Sequence, residues 1–181
     1  MKFVLIRHGL TQGNLERRYI GCRTDERLCP AGVKALEQRA YPQVSRVFVS
    51  PMKRCAETAA ILYPHITPEA VNDFRECDFG DFENKSYEEL NGTKAYQRWI
   101  DSGGELPFPG GESQGAFACR CADAFDKLAD SLNEDCAFIV HGGTIMAIMS
   151  RRAFPPGSYF EFQVSNGEGF ILEANGSYTR L

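Results

Sequence analysis

Three short apolar runs, each followed by polar residues, most strongly constrain what this chain can fold into. They are FVLI (3–6), RVFVS (46–50) and CAFIV (136–140). Such runs are too short for stable helices and rich in β-branched and aromatic residues, which is typical of buried strands. A helical pattern follows each run. The alternation predicts an α/β fold with three layers, in which a mostly parallel sheet is flanked by helices.

The rest of the chain adds an insertion, a long helix and a hairpin. Residues 74–112 interrupt the alternation with aromatic, acidic and turn-rich sequence, which predicts a short insertion over the active site, as a lid or pocket wall. Residues 113–132 have the pattern of a helix. Residues 168–174 and 177–181 predict two strands of a hairpin, with the turn at Asn175-Gly176.

The composition predicts a single domain over residues 1–181. Hydrophobic residues make up 43% and charged residues 24%, as in soluble globular proteins. The net charge of −4 gives no support to a nucleic-acid partner, so an anionic ligand would need a local basic cluster. No apolar run reaches the roughly 18 residues that a membrane helix requires, so we expect no membrane partner.

The cysteine pattern favours reduced thiols. The seven cysteines are an odd number without a C-x-x-C pair: Cys22, Cys29, Cys55, Cys77, Cys119, Cys121 and Cys136. Met1 and Lys2 lead straight into the first apolar run without a signal peptide, so we expect a cytoplasmic location. Cys119 and Cys121 would face different directions of a predicted helix, which argues against a zinc site.

Polar side chains follow the ends of the three predicted strands. Arg7 and His8 follow the first strand, Arg54 lies just past the second, and His141 follows the third. Because the carboxyl ends of parallel strands meet at one edge of a sheet, we expect these side chains to converge. Two arginines can bind a dianionic oxyanion, while two histidines supply a nucleophile and a further donor. The sequence therefore predicts a site for phosphoryl chemistry, which depends on such electrostatic positioning.

A metal site is the main chemical alternative, since His8 and His141 are possible ligands. Two adjacent guanidinium groups would repel a divalent cation, and no carboxylate lies within a few residues of either histidine. The third histidine, His65, follows the end of a predicted helix and is expected in a surface loop. We therefore expect neither a metal nor a cofactor.

Five segments resemble the motifs of one family. They are LIRHGLTQGN (5–14), SPMKRCAET (50–58), FRECDFGDFENKSYEEL (74–90), PGGES (109–113) and VHGG (140–143). In this order and spacing they resemble the histidine phosphatase superfamily, which includes the cofactor-dependent phosphoglycerate mutases. The segment RECDFGDFE (75–83) and the short length of the chain are most similar to those of α-ribazole phosphatases and broad-specificity phosphatases. The resemblance implies a phosphoglycerate mutase-like fold and metal-independent catalysis.

The resemblance also implies catalytic roles for matching positions. His8 would be the nucleophile that becomes phosphorylated. Arg7 and Arg54 would bind the phosphoryl oxygens, and His141 would donate a hydrogen bond to them. Glu76 would be the proton donor, and chemistry requires such an acid independently, because an unprotonated alkoxide is a poor leaving group.

Three more positions would complete the phosphate-binding shell under this resemblance, namely Asn14, Gly21 and Gly142. The sequence departs from the family pattern at Cys29, where a serine or threonine usually caps a helix. We expect this cysteine to weaken the start of its helix slightly. This departure removes none of the implied catalytic groups.

The sequence favours a phosphomonoester hydrolase that forms phosphohistidine on His8. Its substrate would be α-ribazole 5′-phosphate or a related small phosphorylated metabolite. A phosphoglycerate mutase-type transfer is the alternative, but it requires further positive charge, and the basic residues of the insertion are balanced by seven nearby acids. A further alternative is a non-catalytic module that binds a phosphorylated ligand. The sequence of such a module would lack the nucleophile or the acid.

Aromatic residues of the insertion and the following helix are candidates for the leaving-group pocket, although many such residues only fill cores. The candidates are Phe79, Phe82, Tyr87, Tyr96, Trp99, Phe108 and Phe117.

Overall fold

A six-stranded sheet forms the centre of the structure, a computed structural model that describes residues 1–181. The strands are β1 (Lys2–Arg7), β2 (Arg46–Val49), β3 (Glu69–Ala70), β4 (Cys136–Val140), β5 (Gly169–Glu173) and β6 (Tyr178–Arg180). Their order in the sheet is β3-β2-β4-β1-β5-β6. The first four strands in this order are parallel to one another. β5 pairs in antiparallel orientation with both β1 and β6. The predicted mostly parallel sheet is confirmed.

Seven α-helices accompany the sheet: α1 (Gln12–Leu15), α2 (Pro30–Glu37), α3 (Lys53–Leu62), α4 (Tyr87–Leu90), α5 (Lys94–Asp101), α6 (Gln114–Ala129) and α7 (Gly142–Arg152). The sequence predicted α2, α3, α6 and α7 but not α1, α4 and α5. Short 3-10 helices occur at Asn72–Phe74, Gly80–Phe82 and Tyr159–Phe162. None of the helices combines the length and apolarity needed to cross a membrane.

The central strands are apolar throughout because both faces of the sheet are covered. In β1, Phe3 and Leu5 belong to a core that includes residues of α6 and α7. Val4 and Ile6 point the other way, into a core with residues of α3. In β4, Phe138 is fully buried and stacks on Phe48 of β2 at 5.1 Å between ring centroids. This packing fixes the carboxyl ends of β1, β2 and β4 relative to one another.

The insertion has a hydrophobic core of its own. This core is the cluster of Cys77, Phe82, Leu90, Tyr96, Phe108, Phe117, Cys121 and Ala147. It joins residues of the insertion to α6 and α7, so the segment is anchored by apolar packing rather than by the central sheet. The long glycine- and proline-rich stretch after α5 contains no regular element, as predicted.

The predicted hairpin closes the sheet at one edge. Leu172 of β5 pairs with Tyr178 of β6, and Gly176 in the turn has φ of +90°. Glycine adopts such a left-handed conformation without the strain that a Cβ would cause. β5 lies against β1, so the hairpin also covers one side of the strand that leads to His8.

The start of α2 provides a test of capping. Cys29 has the extended backbone of an N-cap residue but makes no side-chain hydrogen bond to the helix. We expect Cys29→Ser to raise the free energy of unfolding by about 1 kcal/mol, because its hydroxyl can accept from a free N–H of the first turn. Urea unfolding measures this change. The control is Cys119→Ser, an exposed position inside α6, with an expected change below about 0.5 kcal/mol. Equal changes in the two variants would contradict the capping argument.

Candidate active site

Four predicted side chains meet at the carboxyl edge of the parallel strands. Arg7 ends β1 and His8 follows it, while His141 follows β4 and precedes α7. Arg54 lies in the first turn of α3, after β2. The rings of His8 and His141 have centroids 5.2 Å apart, and the charges of Arg7 and Arg54 act on both rings. The convergence expected from the sequence is present.

His8 is buried and held in one tautomer. Its Nδ1 lies 2.7 Å from the carbonyl oxygen of Gly9. A carbonyl can only accept, so Nδ1 carries the proton and Nε2 carries the free lone pair. Burial, followed by the charges of Arg54 and Arg7, lowers the pKa of His8 well below its ordinary value. A neutral imidazole with an available Nε2 is the form that acts as a nucleophile.

His141 has one partnered ring nitrogen and one without a partner. Its Nε2 lies 2.8 Å from the hydroxyl oxygen of Ser50, while Nδ1 is buried with no hydrogen-bond partner. Burial, followed by the charge of Arg54, lowers the pKa of His141 well below its ordinary value. The Ser50 hydroxyl can donate to Nε2, and in that tautomer the neutral ring carries its proton on Nδ1, where it can donate to a ligand. Ser50 was not predicted as a residue of the site.

Backbone carbonyls, rather than carboxylates, hold the two guanidinium groups. Arg54 is 0% exposed and donates from Nη1 to Thr24 O at 2.9 Å and from Nη2 to Gly21 O at 3.2 Å. Arg7 donates from Nη1 to Val164 O at 2.7 Å. The Nε atoms of both arginines are buried and have no partner. The site therefore contains two positive charges whose remaining donors suit an anion.

Gly21 supports Arg54 directly. Its N–H donates to Glu83 Oε2 at 3.0 Å, and its carbonyl accepts from Arg54. A Cβ at this position would lie 2.2 Å from Glu83 Oε1 and 2.3 Å from Cys77 O, so only glycine fits. The predicted contact of Gly21 with phosphate remains a prediction, because its N–H is occupied by Glu83 in this structure.

Asn14 and Gly142 lie beside the arginines and histidines. Asn14 lines the same cavity as Arg7 and His8. Gly142 is the first residue of α7, and a Cβ there would lie 3.5 Å from Arg7 Nε, an ordinary contact. Both residues are near enough to contribute to a phosphate-binding shell, and those roles remain predictions.

Glu76 brings a carboxyl group to the histidines from the insertion. Its side chain is 13% exposed, and Oε2 lies 3.8 Å from His141 Nδ1. Its Oε1 accepts from the Cys77 N–H at 2.9 Å. Burial raises the pKa of Glu76 above its ordinary value, although that N–H and the nearby arginines act in the opposite direction. A carboxyl group with a raised pKa can serve as a general acid.

A cavity of about 540 Å³ extends from His8 and Glu76. Seven aromatic residues line it: Tyr19, Phe79, Trp99, Phe108, Phe117, Tyr159 and Phe160. Four of the seven candidates from the sequence are among them. Phe82 and Tyr96 instead pack in the core of the insertion, and Tyr87 lines an adjoining groove that shares Arg7 and Tyr19 with the cavity. Tyr19, Tyr159 and Phe160 were missed because they lie outside the insertion in the sequence.

One other group of side chains has the spacing of a metal site, namely Cys22, Asp78 and Glu83. Its carboxylates already have protein partners. Asp78 pairs with Arg23 at 2.7 Å, and Glu83 accepts from the Thr24 hydroxyl at 2.8 Å. This group is accounted for by hydrogen bonds that fix the loop holding Arg54.

Comparison with known proteins identifies the family. The model of the histidine phosphatase superfamily (branch 1) matches residues 3–181. The chain belongs to this superfamily, and the predicted enzyme class, a phosphatase, is confirmed.

Individual relatives cover between 81% and 100% of the chain. Phosphoglycerate mutase-like protein 4 of Arabidopsis thaliana is 30% identical over 201 residues, covering 99% of this chain and 86% of the relative. Phosphatase PhoE of Bacillus subtilis is 30% identical over 153 residues, covering 81% and 74%. The crystal structure of the α-ribazole phosphatase from Shigella flexneri superposes with a TM-score of 0.84 at 22% identity, covering 100% and 95%. The predicted phosphoglycerate mutase-like fold is confirmed.

The environment of Arg54 predicts a large effect of a charge-conserving substitution. Arg54→Lys keeps the positive charge but loses the planar group that bonds Gly21 and Thr24. We expect kcat/KM for p-nitrophenyl phosphate to fall on the order of 10²-fold, the effect of losing one preorganised donor. The control is Lys53→Arg, the reciprocal change at the adjacent exposed residue, where we expect less than about a threefold change. A similarly small effect of Arg54→Lys would place Arg54 outside the site.

Proposed function

We propose that this chain hydrolyses phosphate monoesters of small metabolites through a phosphohistidine on His8. One observation carries the proposal. Three buried nitrogen atoms, Arg7 Nε, Arg54 Nε and His141 Nδ1, have no hydrogen-bond partner and belong to side chains that converge on His8. A buried donor without a partner costs about 1–3 kcal/mol, so an anion that accepts from these side chains would offset that cost.

The first chemical step transfers the phosphoryl group to His8. Nε2 of His8 attacks phosphorus, and the bond between phosphorus and the leaving oxygen breaks. Glu76 gives its proton to that oxygen, so the product leaves as a neutral alcohol. Arg7 and Arg54 bind the phosphoryl oxygens as their charge distribution changes. The hydrogen bond from Nδ1 to Gly9 O stabilises the positive charge that develops on the His8 ring.

The second step returns the enzyme to its starting state. Water attacks the phosphorus of phosphohistidine, and the Glu76 carboxylate takes the proton from that water. The bond between Nε2 and phosphorus breaks, inorganic phosphate is released and Glu76 is protonated again. The raised pKa of Glu76 suits both directions of this proton transfer, because it brings the carboxyl group closer to neutral pH.

The cavity walls favour an uncharged leaving group that contains a ring. Beyond the phosphate site, the cavity has aromatic walls and the neutral amides of Gln114 and Gln163. The further cation in its lining is Arg18, which is already paired with Glu16 at 2.8 Å and Glu89 at 2.7 Å. α-Ribazole 5′-phosphate, whose leaving alcohol is a riboside of a fused aromatic base, has this character.

The same charges argue against the mutase alternative. A bisphosphorylated sugar acid needs a second set of cations, whereas Arg18 is neutralised by its two glutamates. The binding-module alternative predicts a missing nucleophile or acid, but His8 and Glu76 both face the cavity. A cytoplasmic location remains part of the proposal, and the seven free cysteines are consistent with it.

Trapping the intermediate tests this function. Brief reaction with ³²P-labelled α-ribazole 5′-phosphate, followed by denaturation, should leave acid-labile, base-stable label on the wild type and none on His8→Ala. Added 3-phosphoglycerate should not divert the label from inorganic phosphate, whereas a mutase would transfer it to that acceptor. Label that survives acid, or full activity in His8→Ala, would overturn the phosphohistidine mechanism.

The role of Glu76 predicts a dependence on the leaving group. Glu76→Gln should lose far more activity on an alkyl phosphate than on p-nitrophenyl phosphate, because p-nitrophenolate leaves without a proton. Loss of the base should also slow the second step. Stopped-flow absorbance with p-nitrophenyl phosphate should then show a burst near one equivalent of enzyme, followed by slow turnover.

The matched control for this experiment is Glu88→Gln, an exposed glutamate of α4 that should behave as the wild type with both substrates. Equal losses of Glu76→Gln on the two substrates, without a burst, would assign the acid to another carboxylate of the insertion.

A further inference from the structure

We infer that Asn166, on the loop before β5, is a positioning residue that fixes the side-chain amide of Asn14 with its N–H₂ group directed to the phosphate. The inference rests on the proposed function, because it concerns how the same phosphate site is prepared. None of the sequence motifs includes Asn166, which lies in a turn-like SNGE segment.

The hydrogen bonds of Asn166 leave no freedom in its own amide. Its Nδ2 lies 3.1 Å from the carbonyl oxygen of His8 and 3.4 Å from that of Gly9. Carbonyl oxygens only accept, so the amide atom at this position must be the N–H₂ group. The same Nδ2 lies 3.0 Å from Asn14 Oδ1, to which it donates its other hydrogen.

The amide of Asn14 is consequently fixed from two sides. Its Oδ1 accepts from Asn166 and also from the backbone N–H of Thr11 at 3.3 Å. Both partners are donors, so the reverse orientation, with Asn14 Nδ2 in this place, would set donor against donor. The two orientations of a free asparagine amide have nearly the same shape, so hydrogen-bond partners must select between them.

The selected orientation suits an anion. Asn14 lines the cavity together with Arg7 and His8, and its Nδ2 is the amide atom left to donate there. In the reverse orientation, the lone pairs of Oδ1 would meet the phosphoryl oxygens and repel them. Asn166 therefore acts on the phosphate through Asn14 and is not itself a catalytic residue.

The loop that carries Asn166 is attached to the strand that carries the nucleophile. The N–H of Gly167 donates to Arg7 O at 2.9 Å, and the N–H of Arg7 donates to Glu168 O at 2.9 Å. The carbonyl of Gly167 also accepts from the Tyr41 hydroxyl at 2.9 Å. Asn166 thus has a fixed position relative to β1, as a residue that selects an amide orientation requires.

A double-mutant cycle tests the inference, with the inhibition constant of inorganic phosphate as the readout. Asn166→Ala should weaken phosphate binding about tenfold, which is the loss of one well-oriented hydrogen bond to a charged group. In the Asn14→Ala background, the same substitution should change the constant less than about twofold, because the amide that it orients is gone. Asn166→Leu, of similar size and uncharged but without a donor, should show the same dependence on Asn14, and it replaces Asn166→Ala in the cycle if Asn166→Ala does not fold.

The outcomes separate this inference from the proposed function. Equal effects of Asn166→Ala in both backgrounds would mean that it acts through the His8 and Gly9 carbonyls or through stability, and would overturn the inference. A lowered melting temperature with an unchanged inhibition constant would overturn it as well. An unchanged constant in Asn14→Ala would remove Asn14 from the site, and the inference with it. Failure of the wild type to bind phosphate or to release it from monoesters would instead overturn the proposed function.

Discussion

The fully buried guanidinium of Arg54, held by backbone carbonyls without a paired carboxylate, is the interaction on which the site depends. Removing a charge from water costs several kcal/mol unless polar groups replace the water. Gly21 and Thr24 supply part of that replacement, and Glu83 holds the loop through Gly21 and Thr24. The remaining donors of Arg54 suit an anion. Without that anion, the unpaired buried charge lowers the stability of the folded protein at the site of the reaction.

The same positive charges set the protonation states that the reaction uses. Burial and Arg54 both lower the pKa of His8 and His141, so both rings are neutral where an isolated histidine would begin to take up a proton. Glu76 lies in the same field, yet burial raises its pKa. Burial therefore shifts the nucleophile and the acid in opposite directions, because it disfavours the charged form of each group: it lowers the pKa of His8 and raises the pKa of Glu76.

Local patterns explain which parts of the structure were predictable. The strands β1, β2 and β4 are continuous apolar runs, and Arg7, His8 and His141 follow such runs directly, so the topology of parallel strands was enough to bring them together. Glu76 was found only through the resemblance, since nothing in its neighbourhood distinguishes it from other glutamates. Ser50 and Asn166 were missed because their hydrogen bonds span 91 and 152 residues of sequence, respectively.

The separate hydrophobic core of the insertion has a consequence for how such an enzyme can change. His8 follows a strand with a neighbour on each side and packing on both faces, so substitutions around it disturb the whole sheet. Trp99 and Phe108, which line the cavity, belong to the insertion cluster or pack against it. Substitutions in that cluster would change the shape of the leaving-group cavity, while the phosphate-binding atoms keep their positions. Substitutions among the insertion residues that line the cavity can therefore change the substrate that is accepted, while the reaction stays the same.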